Sequence, residues 1–280
     1  MPRPVQARDA MQFINEQDPA TRERFIARLE FRASDPTFVA YREQYLRLLD
    51  LPRVAAVLDL GCGTGVVSRA IAARDGFAGT VTGVDQSPDF IAAAQRLAAD
   101  GGVGDRIDFV VGDAHQLAIP AASHDAVVAH TLISHVRDPA AVLAEAARML
   151  RPGGTAAVFD GDYASLTFGC SDPRLGEAME GAIQSMIMSS PRVMRELPRL
   201  LPKAGLRLTA AQAHVFAEAG SGGFLLNLAE TYAPLAASAG LVPVAAVEAW
   251  LADQRRSAED GTFFGACNYY AYVAKAAVRP

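Results

Sequence analysis

The sequence predicts an α/β fold in which a parallel sheet carries helices on both faces. From residue 54 onward, short apolar runs alternate with helical patterns, which is typical of consecutive βαβ units. Four of these runs end in an aspartate, namely Asp59, Asp85, Asp113 and Asp160. Because the carboxyl ends of parallel strands meet at one edge of a sheet, this pattern also predicts a ligand-binding edge.

The predicted strands and helices follow from apolar runs and capping residues. The strands cover residues 54–60, 79–85, 105–114, 124–130 and 154–160, followed later in the chain by 206–218 and 262–278. The helices between them cover residues 65–74, 87–100, 138–150, 221–239 and 243–258. Ser87-Pro88 and Asp138-Pro139 each place a capping side chain before a proline, which is a strong signal for the start of a helix.

Two further segments are predicted to be helical. Residues 9–50 contain a helical apolar face, with a start signal at Asp35-Pro36. Residues 161–205 are too long for a simple crossover and read as mostly helix, so they are predicted to form part of a cap. The chain is thus divided into an N-terminal helical lid, 1–50, and a main domain, 51–280, with 161–205 as a helical cap insertion.

Composition excludes several classes of function. The 280 residues carry a net charge of -5 without a long basic run, which argues against nucleic acid as a partner. No apolar stretch is long enough for a membrane span, and the first 13 residues lack the apolar core of a signal peptide. The three cysteines have neither zinc-ligand spacing nor an even count, so no metal site is predicted and a reduced, cytoplasmic setting is expected. A homo-oligomer is left open.

A glycine cluster between the first strand and its helix indicates a bound ligand. Gly61, Gly63 and Gly65 allow a close approach of the backbone, and the following helix adds free N–H groups. A dinucleotide fingerprint requires glycine at position 66, where Val66 stands, and this weakens the case for NAD. Asp85, 20 residues after Gly65, can accept the ribose hydroxyls of any adenosine-bearing cofactor.

The motifs from the first strand to the fifth resemble those of the class I S-adenosylmethionine-dependent methyltransferases of the small-molecule type. The matching segments are VLDLGCGTG (57–65), GVDQS (83–87), GDAHQLAIP (112–120), HTLISHVRDP (130–139) and LRPGG (150–154). The resemblance is good over residues 54–160 and looser to the C-terminal strand. It implies a Rossmann-like, doubly wound, seven-stranded and mostly parallel sheet with the last strand antiparallel. It also implies S-adenosylmethionine as the cofactor and a small molecule as the methyl acceptor.

The resemblance also assigns roles to the residues at the strand ends. Those implied to bind the cofactor are Asp59, Gly61, Gly63 and Gly65 at the methionine part, Asp85 at the ribose, Gln86, Asp113 and Ala114 at the adenine, and His130 near the sulfonium. HTLI follows the fourth strand where enzymes that methylate nucleic-acid bases carry Asn-Pro-Pro-Tyr or Asp-Pro-Pro-Tyr. This difference argues against a nucleic-acid substrate.

The catalytic and acceptor-binding candidates are less strongly indicated. A hydroxyl or ammonium acceptor needs a base, and His135, Asp160 and Tyr163 are the candidates for catalysis. Tyr41, Tyr45 and Asp162 are candidates for substrate contact, although the helical spacing of the two tyrosines favours simple packing. The acceptor atom stays open among oxygen, nitrogen, carbon and sulfur. Two rival functions also stay open, an NAD-dependent oxidoreductase and a non-catalytic nucleoside-binding module.

Overall fold

The computed structural model describes residues 9–51 and 55–277, and its centre is a seven-stranded mixed sheet. The strands are β1 Ala56–Leu60, β2 Thr80–Asp85, β3 Ile107–Val111, β4 His124–His130, β5 Leu150–Phe168, β6 Leu206–Gly220 and β7 Phe263–Ala276. Their order is β3-β2-β1-β4-β5-β7-β6. The first five strands are parallel, whereas β7 lies antiparallel between β5 and β6. The predicted sheet is therefore confirmed. Val54, the first residue of the predicted first strand, and residues 1–8 lie outside the described residues.

The helices are α1 Pro19–Ser34, α2 Pro36–Leu48, α3 Val66–Ala72, α4 Pro88–Asp100, α5 Pro139–Met149, α6 Pro173–Ile187, α7 Val193–Lys203, α8 Phe224–Ser238 and α9 Val244–Glu259. Five of them begin where a capping residue precedes a proline. In α1, α2, α4, α5 and α6 a side chain of the preceding Asp or Ser accepts a hydrogen bond from a backbone N–H of the first turn. Proline in the first turn has no N–H to leave unsatisfied, so the two residues together fix the start of the helix.

Both faces of the central strands are buried, as the apolar runs require. Alternate residues of one strand enter different cores, since Val57 packs in one cluster and Leu58 in the other. The first cluster includes residues of α2, α3, α8 and α9, and the second includes residues of α5 and α7. This packing holds the carboxyl ends of the parallel strands in place and leaves their loops to form a site.

The predicted cap is helical over only part of its length. Residues 161–168 continue β5, because Gly161 pairs with Tyr269 and Thr167 pairs with Ala266 of the long strand β7. Only α6 and α7 within 161–205 are helical. The division into a lid, 1–50, and a main domain, 51–280, stays a prediction.

The start of the described chain also differs from the predicted helices. Residues 9–18 form a turn and a short 3-10 helix, Ile14–Glu16, and the first α-helix begins at Pro19. The Asp9 carboxylate accepts hydrogen bonds from the backbone N–H groups of Met11 and Gln12, and this local bonding favours a turn over a helix. Residues 9–16 are called the N-terminal segment below.

Two kinds of feature are absent from the described residues. Within 9–51 and 55–277, no helix combines the length and apolar character needed to cross a membrane. The same ranges contain no group of three or more His, Cys, Asp or Glu side chains placed to hold a metal ion. All three cysteines are free, and Cys62 and Cys267 are buried.

Candidate functional site

A cavity of about 400 Å³ lies at the carboxyl ends of β1, β2 and β4. It opens where the strand order reverses between β1 and β4, the usual place for a ligand in an open α/β sheet. Its volume is in the range of small-molecule sites. The structure brings eight of the nine predicted cofactor residues to its wall: Asp59, Gly61, Gly63, Asp85, Gln86, Asp113, Ala114 and His130. We call this space the cofactor cavity.

The glycines have different roles around this cavity. Gly61 has φ +64°, and an added Cβ would lie 2.5 Å from the Leu132 side chain. Gly63 has φ +54° and donates its N–H to the Asp85 carboxylate at 2.9 Å. Gly65, the ninth predicted residue, is not in the wall, because it caps α3 and packs against Phe109, where a Cβ would lie 2.7 Å from the ring. Two glycines thus shape the wall and the third permits the packing behind it.

Asp59 presents a buried carboxylate oxygen that lacks a partner. Its Oδ2 accepts hydrogen bonds from the Ser68 N–H at 3.0 Å and the Ser68 hydroxyl at 2.6 Å, whereas Oδ1 is buried without a partner. Burial raises the pKa of Asp59 to about 7, against the hydrogen bonds from Ser68. A buried oxygen without a partner is costly, so its place in the cavity wall suits a cationic or hydrogen-bond-donating group of a ligand.

Asp85 is held in one orientation by the backbone. Its Oδ2 accepts the Gly63 N–H and its Oδ1 accepts the Ser87 N–H, both at 2.9 Å. Burial raises the pKa of Asp85, and these backbone donors oppose that shift. Each oxygen keeps further lone-pair capacity, so the carboxylate can still accept two hydroxyl groups such as those of a ribose.

The loop after β3 contributes Asp113 and His115 to the wall of the cofactor cavity. Asp113 accepts hydrogen bonds from the His115 backbone N–H at 2.9 Å and contacts the His115 ring at 2.6 Å. The other ring nitrogen of His115 accepts the Asp138 N–H at 3.3 Å. Ala114, which lies between Asp113 and His115 in the sequence, also contributes to the wall. These bonds orient the loop predicted to hold adenine.

The N-terminal segment, which lies within the predicted N-terminal lid, covers the cavity through contacts that the sequence did not indicate. Residues 11–16 contribute to the wall, and the Gln86 amide donates to the carbonyls of Met11 and Gln12 at 3.2 and 3.0 Å. Asn15 in turn donates to the Gln86 carbonyl at 2.8 Å. Gln86 therefore fastens the segment. No local pattern signals this contact, because the bonded residues are more than 70 positions apart.

His130 is a neutral histidine in the cavity wall. Burial lowers its pKa well below the usual value, and Arg32 and Arg42 add to that shift. The Tyr45 hydroxyl lies 2.8 Å from Nδ1, and the ring stacks on Phe159 at 4.8 Å between centroids. If Tyr45 donates to Nδ1, the proton of the neutral ring lies on Nε2, which then acts as a donor. Tyr45 is fully buried and outside the wall, so it orients His130 instead of contacting a ligand.

His135 forms a pair with an aspartate of the N-terminal segment. Its Nδ1 lies 2.9 and 3.1 Å from the two Asp9 carboxylate oxygens, and the Asp9 side chain is 1% exposed. Asp9 also accepts the Ser189 N–H at 3.0 Å, so the segment is joined to the connection between α6 and α7. A carboxylate at Nδ1 holds the neutral ring with its proton there, which leaves Nε2 as an acceptor. His135 lines the cofactor cavity.

A second, much smaller space adjoins the cofactor cavity, and we call it the inner cavity. Its volume is about 10 Å³, roughly the room for one water. Its wall consists of Met11, Arg28, Leu29, Arg32, Thr131, His135, Tyr163, Met188, Phe224 and Leu228. Half of these residues also line the cofactor cavity, namely Met11, Leu29, Arg32, Thr131 and His135. Tyr163, a predicted catalytic residue, thus lies in the inner wall, and burial raises its pKa well above the usual value.

The remaining candidates have structural partners away from both cavities. Asp160 is fully buried and accepts the N–H groups of Ser134 and Gly161 at 3.0 and 2.8 Å, and burial raises its pKa. Asp162 forms an ion pair with Arg195 at 2.7 Å. Tyr41 donates to the Val215 carbonyl at 3.1 Å. None of Asp160, Asp162 and Tyr41 is in the walls of the two cavities, and the polar groups named here have protein partners.

Known proteins with related sequences agree with this arrangement. A family described as a methyltransferase domain matches residues 58–158. A 37.1 kDa protein in transposon TN4556 of Streptomyces fradiae is 31% identical over 239 residues, which are 85% of this chain and 67% of that protein. Nocamycin O-methyltransferase of Saccharothrix syringae is 40% identical over 117 residues, 41% of each chain. The match therefore spans less than two thirds of that enzyme.

A solved structure shares the fold. Geranyl diphosphate C-methyltransferase from Streptomyces coelicolor A3(2), solved with Mg²⁺, geranyl diphosphate and S-adenosyl-L-homocysteine, superimposes with a TM-score of 0.53. The alignment covers 85% of this chain and 78% of that chain at 20% identity, a likeness of fold. On the matched domain, the related sequences and the sheet topology, the chain belongs to the class I S-adenosylmethionine-dependent methyltransferases.

Proposed function

We propose that the protein transfers a methyl group from S-adenosylmethionine to a hydroxyl oxygen of a small molecule. The observation that supports the choice of oxygen is the pair formed by His135 and Asp9, of which His135 lies in the wall that both cavities share. A hydroxyl and an ammonium group both need a base at neutral pH, whereas a neutral amine needs little further help. Between the first two, the name of the related nocamycin O-methyltransferase favours the hydroxyl.

The cofactor cavity fits S-adenosylmethionine on the geometry of its own residues. Asp59 would meet the amino group with its unpartnered Oδ1, and Asp85 would accept the ribose hydroxyls. Asp113 and Ala114 would contact the adenine, with His130 near the sulfonium. When bound, this cofactor supplies an electrophilic methyl group. Val66 in the wall, where a dinucleotide site has its third glycine, does not favour NAD.

His135 is the proposed base. With its Nδ1 proton held by Asp9, its Nε2 accepts the proton of an acceptor hydroxyl in the adjoining space. Asp9 is then a positioning residue, because it fixes the ring and stabilises the imidazolium that forms. The name of the related nocamycin O-methyltransferase is consistent with oxygen as the acceptor atom.

The N-terminal segment is proposed to exclude water. It covers the cofactor cavity, and through Asp9 it also holds the base, so closing the site and orienting His135 are one event. Enclosure of this kind protects a reactive methyl donor from hydrolysis and keeps the acceptor in line.

The test is a transfer assay with methyl-labelled S-adenosylmethionine and matched acceptors. We would offer phenol, aniline and thiophenol, and follow both the label and S-adenosylhomocysteine. The proposal expects label only on oxygen, and loss of transfer in His135→Asn with unchanged S-adenosylhomocysteine affinity. Label on nitrogen or sulfur, or full activity in His135→Asn, contradicts the assignment of oxygen and of the base.

A further inference from the structure

The inner cavity contains two arginines from one helical face. Arg28 and Arg32 lie one turn apart on α1, and both contribute to the inner wall beside His135. Arg32 lines both the inner cavity and the cofactor cavity, whereas Arg28 lines only the inner cavity of these two. The pair thus lies on the acceptor side of the proposed base.

Neither arginine forms an ion pair with a carboxylate of the described residues. The Arg28 guanidinium donates to the Tyr232 hydroxyl at 2.9 Å and lies over the Tyr232 and Phe25 rings at 4.9 and 5.3 Å. Its Nε is buried without a hydrogen-bond partner. Arg32 donates to the Thr131 hydroxyl at 2.7 Å. Asp9, which is outside this wall, is bonded to His135.

Two other charged groups on α1 form ion pairs. Arg22 pairs with Asp89 at 2.6 Å, and Glu30 pairs with Arg69 at 2.7 Å. Half-buried guanidiniums that lack such a partner leave local positive charge in a space of low dielectric constant. An anion bound there would compensate this charge. It would also accept hydrogen bonds from the guanidinium N–H groups of both side chains that have no acceptor.

The geometry points to an oxyanion. Guanidinium groups bind carboxylate and phosphate oxygens through planar, paired hydrogen bonds, and the aromatic contacts hold Arg28 in one orientation. The rest of the wall is largely apolar, with Leu29, Phe224 and Leu228 among its members. A ligand that fits this wall has an apolar body and one anionic end.

We propose that the methyl acceptor is an amphipathic anion whose carboxylate or phosphate binds Arg28 and Arg32 while its hydroxyl meets His135. This inference rests on the proposed function. The inner cavity has room for about one water, so the acceptor enters by displacing the flexible side chains of Met11 and Met188.

The test uses small probes on the protein saturated with S-adenosylhomocysteine. Calorimetric titrations with benzoate, phenyl phosphate and benzyl alcohol compare a carboxylate, a phosphate and a neutral analogue. At least one anion is expected to bind at least tenfold more tightly than the alcohol, and the better anion assigns the oxyanion. Equal binding of the alcohol and the anions, or no anion binding, overturns the proposal.

Substitutions on α1 test whether the anion binds at Arg28. Arg28→Gln should weaken the better anion by about tenfold or more, and Arg28→Lys by less, because the charge remains. Arg24→Gln is the matched control, since Arg24 is an exposed arginine of the same helix outside both walls. Arg28→Gln should leave S-adenosylhomocysteine affinity unchanged.

Two results separate this inference from the proposed function. If Arg28→Gln weakens S-adenosylhomocysteine as much as the anion, the arginines serve the cofactor carboxylate and the inference fails, while methyl transfer stands. If the wild-type protein does not bind S-adenosylhomocysteine at all, the proposed function fails. The comparison of the three probes on wild-type protein does not depend on how any variant folds.

Discussion

The two halves of the site are built in different ways. The cofactor half lies on loops that directly follow β1, β2 and β3, so each of its acids is close in sequence to a strand end. The acceptor half joins α1, the N-terminal segment, the end of β5 and the connection between α6 and α7. Its key contact joins residues 126 positions apart, His135 and Asp9.

This difference assigns cofactor binding to one half of the site and methyl transfer to the other. Side chains on strand ends are fixed by the core of the sheet, whereas the base is oriented by Asp9 of the N-terminal segment. We therefore expect substitutions in the cofactor half to change the affinity for S-adenosylhomocysteine, and substitutions in the acceptor half to change turnover. The predictions below test this separation.

The largest effect is expected at His135. The substitution His135→Asn should reduce turnover about 10²- to 10⁴-fold, because it removes general base catalysis. The dissociation constant for S-adenosylhomocysteine should change by less than twofold. Steady-state kinetics with the best acceptor of the panel, together with calorimetry, measure both. A parallel loss of affinity would place His135 in the cofactor half.

The variant Asp9→Asn tests whether the acceptor half controls turnover through the orientation of His135. The amide keeps the shape but no longer fixes the His135 proton on Nδ1, so kcat should fall by less than in His135→Asn. The pH profile of kcat should shift with it, which a merely structural role of Asp9 would not produce. An unchanged profile would show that Asp9 only anchors the N-terminal segment.

The next effect is expected at Asp85. The substitution Asp85→Asn should cost about 1–3 kcal/mol of cofactor affinity, roughly 5- to 150-fold in Kd, because it removes charge-assisted bonds to the ribose. Asp89→Asn is the control, since Asp89 lies four residues on, in the exposed first turn of α4, outside the cavity wall. Equal affinities for Asp85→Asn and wild-type protein would refute the assignment.

The raised pKa of Asp59 leads us to expect that the stability of the protein depends on pH. Burial raises its pKa from 3.8 to about 7, so the protonated acid is favoured in the folded protein. The stability that this group contributes is present below about pH 4 and is lost as the pH rises to about 7, by at most about 1.4 kcal/mol per pH unit. A bound amino group would stabilise the ionised form, so the stabilisation by S-adenosylhomocysteine should grow over that window.

Thermal unfolding with and without S-adenosylhomocysteine, from pH 5 to pH 8, measures this effect. Asp59→Asn is the reference, because it cannot titrate and should show a flatter difference between the two conditions. The interpretation of Asp59 fails if the wild-type and Asp59→Asn proteins respond to S-adenosylhomocysteine with the same pH dependence.

The smallest effect is expected at the two tyrosines of α2. Tyr45→Phe and Tyr41→Phe each remove one hydrogen bond, to His130 and to the Val215 carbonyl, and each should cost about 1 kcal/mol of stability. Only Tyr45→Phe should also reduce cofactor affinity, by a few fold, because His130 loses its orientation. An equal affinity loss in Tyr41→Phe would mean that both act through general destabilisation.

The sequence predicted the cofactor half because its signals are local. A capping pair such as Ser87-Pro88 signals the start of a helix from two neighbouring residues, and an acid at a strand end lies at the rim by geometry alone. The acceptor half depends on long-range packing. Nothing near Asp9 indicates His135, and the continuation of β5 through residue 168 depends on the length of β7, about 100 residues later.

The candidates at the end of β5 illustrate the same limit. Asp160 follows the predicted strand, but whether an acid there faces a ligand or the backbone depends on the loop after β4, whose Ser134 N–H it accepts. Asp162 likewise has its partner, Arg195, on α7. Position along a strand can be read from sequence, whereas the choice between a ligand and a protein partner cannot.

The central claim is that the cofactor cavity binds S-adenosylmethionine and not a nicotinamide cofactor. Calorimetric titration of the wild-type protein with S-adenosylhomocysteine and, separately, with NADH tests it most directly. We predict saturable one-site binding of S-adenosylhomocysteine, weakened by Asp85→Asn, and no heat of binding from NADH. Saturable binding of NADH without any response to S-adenosylhomocysteine would contradict the account.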